Sequence, residues 1–148
     1  MKKDSFAFWH MWLFISTVLL ALGGAIFAIW GSSPIFEPYN ESLNKVFWHS
    51  SEMPSEVKPF RVFVNGPMGG TIACCYTLLA YIVWYPFRRK EKWARNAIIV
   101  AFSIWVVLDS AVCIYTGMYF QVYIINALSI LQKALPIIFT WNAFKAER

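Results

Sequence analysis

Four long apolar runs decide what this chain can become. The first covers residues 6–30, "FAFWHMWLFISTVLLALGGAIFAIW". At about 1.5 Å per helical residue, such a run crosses the roughly 30 Å hydrocarbon core of a bilayer with some to spare. The others cover 67–87, 97–117 and 119–141. Backbone that crosses lipid has to satisfy its own hydrogen bonds, so runs of this kind fold as helices. Composition agrees, since 59% of the residues are hydrophobic and 14% are charged, where a soluble domain carries about a quarter. Aromatic residues gather toward the ends of the runs, as an interfacial belt requires. The expected fold is one all-α membrane domain over residues 1–148, a four-transmembrane-helix bundle.

The competing reading of the first run is a secretory signal peptide, because "MKK" precedes it and "AIFA" is loosely cleavage-like. Its length exceeds a typical signal core, which favours a span. In the second run, Pro67 suits a first helical turn, where its missing N–H costs nothing. A start near Pro59 with a kink at Pro67 is the alternative.

The net charge is +5, and the basic residues sit between the runs. The loop at 88–96 opens with "RRKEKWAR", Lys2 and Lys3 precede the first run, and Lys145 and Arg148 follow the last. Basic residues favour the cytoplasmic side, so both termini and this loop are expected there, in a prokaryotic inner membrane. Arg88, Arg89, Lys90, Lys92 and Arg95 then meet anionic lipid. Topology and lipid account for this charge without nucleic acid as a partner.

The link over 31–66 is too long to be structureless. Tyr39, Leu43, Val46 and Phe47 recur at helical spacing, which predicts a short amphipathic helix between the first two spans, on the outer surface. Asn40-Glu41-Ser42 matches a glycosylation sequon, relevant only in a eukaryotic source.

Polar positions inside the runs are few. Asp109 is the only acidic residue within any of them. On the last run, Asn126, Ser129, Lys133 and Thr140 fall on one helical face. The short turn "TGMY" makes the last two spans antiparallel neighbours, which puts Asp109 and Asn126 at similar depth, where they can touch. One reading is a buried hydrogen bond from Asp109 to Asn126, or to Ser110 and Ser129, that joins two helices. The other is an outward-facing ligand or proton site, because ionisable groups at membrane depth are costly to keep. Lys133 lies deeper and is expected to snorkel toward the cytoplasm. Arg61 and Asn65 stand at the outer mouth, where they could meet an anionic headgroup or substrate.

Small residues suggest close helix approach at Gly24, at the Gly66-x-x-x-Gly70 pair and at Ser110. The cysteines Cys74, Cys75 and Cys113 form no C-x-x-C or zinc spacing. His10 and His49 fall at opposite ends of the first span and its link, so they cannot share a metal. No nucleotide-binding, nucleophile-elbow or zinc-protease pattern occurs, and no metal or cofactor is expected. The resulting expectation is a non-catalytic membrane protein that acts by association, as a homo-oligomer or an accessory subunit. The rivals are a transporter, channel or small-molecule-binding protein built on Asp109 and Asn126, and a membrane enzyme acting on a lipid-like substrate.

Overall fold

The computed structural model describes residues 3–144, and all of its regular structure is helical. Helix α1 is Lys3–Trp30, α2 is Glu37–Trp48, α3 is Lys58–Ile82, α4 is Lys92–Thr116 and α5 is Ala127–Thr140. A π-helical stretch, Val83–Phe87, continues α3, and another, Gln121–Asn126, leads into α5. Four of the resulting helical segments are long and apolar enough to cross a membrane: Ser5–Trp30, Ser55–Phe87, Lys92–Thr116 and Gln121–Phe144. One end of the molecule carries the turn between α3 and α4 and is called the basic end. The opposite end carries α2.

Helix boundaries follow local chemistry. Proline in the first turn opens both α2 and α3. Gly117, at φ 79°, closes α4 and lets the Met118 N–H reach the Cys113 carbonyl at 2.8 Å. The second long helix begins at Lys58, at the alternative start near Pro59 rather than at 67, so Pro67 lies inside the helix and the link before it is shorter than 31–66. The third long helix begins at Lys92, five residues before the expected 97, so Lys92 and Arg95 belong to a helix and the basic turn is confined to 88–91.

The tightest packing is between α1 and α3. A methyl group placed on Gly24 would lie 2.7 Å from Ala73 N, and one on Gly69 would lie 2.6 Å from the Gly24 carbonyl oxygen. Only hydrogen fits at either position. Gly66 and Gly70, the expected packing pair, meet nothing within 4 Å. The sequence motif is offset by one from the contact: a helix turns about 100° per residue, so Gly69 faces α1 while Gly70 faces away.

At the basic end, Leu13, Val83, Phe87, Ala94, Ile98, Ile137 and Phe144 form a buried apolar cluster. Phe87 and Phe144 meet edge to face at 4.8 Å. His10 is buried there too, with Nε2 3.1 Å from the Val83 carbonyl oxygen. The α4 backbone approaches the rest of the chain chiefly at its two ends, against the two π-helical stretches. Only 6% of its most apolar window is buried, against 11% for the α3 segment and 22% for α1 and for the α5 segment.

Candidate functional site

Asp109 and Asn126 are brought together across the α4–α5 turn. Asn126 is 1% exposed, and its amide nitrogen donates to Asp109 Oδ2 at 2.7 Å and to Ser110 Oγ at 3.0 Å. Its carbonyl oxygen accepts from Gln121 Nε2 at 3.4 Å. Cys113 Sγ sits 3.6 Å from Asp109 Oδ2, one turn along α4. The π-helical stretch ending at Asn126 changes the local register by one residue per turn, and π-bulges recur at functional sites. Both amide donors and the carbonyl oxygen of Asn126 are thus engaged within the cluster, as a clamp between helices would use them. Among the described residues, the hydrogen bonds to Asp109 fall on Oδ2 alone.

Helix α2 covers this end with a polar face. Its buried residues are Asn40 and Asn44, while Phe47 and Trp48 are exposed. The apolar stripe anticipated through Tyr39, Leu43, Val46 and Phe47 is therefore only half-buried on its first three members and outward on the last. Asn40 Nδ2 donates to the Gly31 carbonyl oxygen at 2.9 Å, which engages the asparagine of the sequon. Asn44 Nδ2 donates to the Ser51 carbonyl oxygen at 2.8 Å and its Oδ1 accepts from Arg61 Nη2 at 2.7 Å. Asn65 is buried beside Gly31 and donates to Ser32 Oγ at 3.4 Å. Burial pushes the Tyr39 phenol above its usual range, helped by the nearness of Cys113 and Asp109 and opposed by Arg61.

Lys133 does not snorkel. It is 2% exposed, and its Nζ lies 4.9 Å from the Tyr76 ring centre and 4.6 Å from that of Phe102. It donates to Gln132 Oε1 at 3.2 Å. Seven residues separate it from Thr140, a rise of about 10 Å, which a lysine stem of about 6 Å does not span. Ser129 is half-buried and takes no part in the Asp109 network.

The basic end divides its cations. Arg95 is buried, with its guanidinium 3.9 Å from the Trp141 ring centre and hydrogen-bonded to Asn96. It is taken up by packing and is withdrawn from the expected lipid contact. Arg89 pairs with Glu91 at 2.7 Å. Arg88, Lys90 and Lys92 are exposed. Lys90, Lys92, Trp93 and Phe144 line a cleft of about 330 Å³ there. A second cleft, about 140 Å³, lies between the far ends of α1 and α3 along Ala28, Gly31, Val62 and Asn65. Neither includes Asp109 or Lys133.

Sequence reasoning missed Asn44, Gln121 and the Tyr76–Phe102 pair, and read Asn40 only as part of a sequon. Asn40 and Asn44 are four residues apart, a polar stripe that was visible; the rings around Lys133 come from separate helices and leave no local signal. Comparison with family models, curated proteins and solved structures returns no match.

Proposed function

We propose that this is an integral membrane protein that works by association, as a homo-oligomer or as an accessory subunit of a membrane complex. The observation that carries the reading is α4. One face of its midsection is uncovered, with Ile104, Val107, Leu108 and Val112 all exposed, while the other face reaches the α5 segment through Phe102 and Asp109. A complete four-helix bundle buries a stripe along each helix. Here α1, α3 and α5 make the closer assembly and α4 is left with an uncovered side, which a helix from another chain would fill. The Asp109–Asn126 cluster then acts as a clamp that fixes where α4 stands.

The placement that goes with this reading has both termini and the 88–91 turn in the cytoplasm of a prokaryotic cell, with Arg88, Lys90 and Lys92 at anionic headgroups. The test is cross-linking in native membranes on a cysteine-free background. Val107→Cys or Leu108→Cys is expected to give a dimer-sized band or a discrete heavier adduct. Leu22→Cys on α1 serves as an exposed control. Reaction equally weak at both places would overturn the reading.

A second reading has one observation behind it. Asp109 Oδ1 is outside the hydrogen-bond network, which leaves an acceptor for a proton or ligand at the α2-covered end. On this reading, transport or binding activity is lost in Asp109→Asn while the fold persists.

A further inference from the structure

We propose that Lys133 is the anion-receiving group of a membrane-embedded site for a hydrophobic monocarboxylate, a long-chain fatty acid in class. The proposal goes beyond association and stands on the surroundings of one side chain. Lys133 is 2% exposed and sits near the middle of the Gln121–Phe144 segment. Two aromatic rings from two other helices, Tyr76 on α3 and Phe102 on α4, flank its Nζ. Electron-rich rings suit an ammonium. Among the described residues, no carboxylate lies within 4.0 Å of that nitrogen, and the pairs present are Lys45–Glu41 and Arg89–Glu91. An ammonium offers three N–H donors, and one is met, by the neutral Gln132 amide.

Ionisable residues in membrane spans pair with one another or with backbone carbonyls, or mark a ligand path. The missing anion is therefore the feature to explain. A single positive charge is matched by a monoanion; a phosphate monoester would leave charge uncompensated. A fatty acid also reaches this depth by a simple route. It enters as the neutral acid and becomes the carboxylate beside the ammonium, releasing one proton to water. Its headgroup would replace the Gln132 oxygen at Nζ. Its chain would lie between α3 and α4, beside Tyr76 and Phe102.

The test is equilibrium binding of isotopically labelled oleate to the delipidated full chain in a mild detergent, with oleyl alcohol as the uncharged probe. Saturable binding of one oleate per chain is expected, with oleyl alcohol at least about tenfold weaker, the size of a lost charge-assisted bond. Lys133→Met is expected to lose oleate by a similar factor, and Lys133→Arg to retain most of it. Lys45→Gln, an exposed cation on α2, should leave binding unchanged. Equal binding of acid and alcohol by the wild-type chain overturns the proposal, and that comparison holds even if Lys133→Met fails to fold. Equal oleate binding by folded Lys133→Met also overturns it. Loss of oleate binding in Lys90→Gln with Lys92→Gln, at the end assigned to anionic headgroups, would place the anion there and overturn it too.

Discussion

Gly23 and Gly24 are adjacent in sequence and opposite in consequence. A β-carbon at Gly24 would lie 2.7 Å from Ala73 N and 2.7 Å from Ile72 Cγ2, whereas at Gly23 it would meet nothing within 4 Å. Ordinary contact begins near 3.4 Å, so Gly24→Ala must part α1 and α3 by roughly 0.7 Å. A gap of that size forfeits about a quarter to a half of each dispersion contact at the crossing. Overpacking of this kind costs about 1–3 kcal/mol. Replacing glycine by alanine also favours helix by up to about 1 kcal/mol, but this gain is common to both positions. The difference between Gly23→Ala and Gly24→Ala thus isolates the crossing, and Gly24→Ala should be the less stable by about 1–3 kcal/mol. The assay is thermal unfolding in mild detergent, followed by tryptophan fluorescence. The Gly69→Ala and Gly70→Ala pair should repeat the order. Equal midpoints within either pair would refute the α1–α3 register.

Three further outcomes are expected. Asp109→Asn should stay within about 1 kcal/mol of the parent, because an amide still accepts from Asn126, whereas Asp109→Leu should lose about 1–3 kcal/mol by orphaning that buried amide; equal losses on unfolding would argue against the clamp. Arg95→Gln should loosen the turn at Trp141–Phe144 by about 0.5–2 kcal/mol as its cation–π contact goes, seen as faster amide exchange there, and unchanged exchange would contradict it. The Tyr39 phenol is held above its unfolded value of 10.0, so its contribution is fully present below about pH 10 and is lost as pH rises through the folded value. Tyr39→Phe should therefore flatten the alkaline limb of thermal stability, and an unchanged limb would show that Tyr39 is not held in this way.

The helical fold and its four apolar segments were legible because hydrophobic length is a direct readout of what a helix can cross. The meeting of Asp109 with Asn126 was legible for a similar reason: a short turn forces antiparallel neighbours, and equal distance from the turn gives equal depth. What sequence could not give was rotation. Gly66-x-x-x-Gly70 has the spacing of a packing motif, yet which glycine faces α1 depends on how α3 is turned, and Gly69 takes that place. Lys133 failed for another reason. Snorkelling assumes a free path to the interface, and Tyr76 and Phe102, from distant parts of the chain, hold the ammonium where it is. Arg95 likewise looked like part of a solvated basic run until Trp141 came to lie against it. Within α2, the apolar stripe drew attention from Asn40 and Asn44, the residues whose hydrogen bonds bind that helix to Gly31 and Arg61.

The association reading meets its most direct test in the native mass of the gently extracted protein, released from lipid discs. A multiple of 17.1 kDa, or a reproducible second protein in fixed ratio, is the result the account predicts. A lone 17.1 kDa chain across extraction conditions would contradict it, and would leave the uncovered side of α4 to lipid alone.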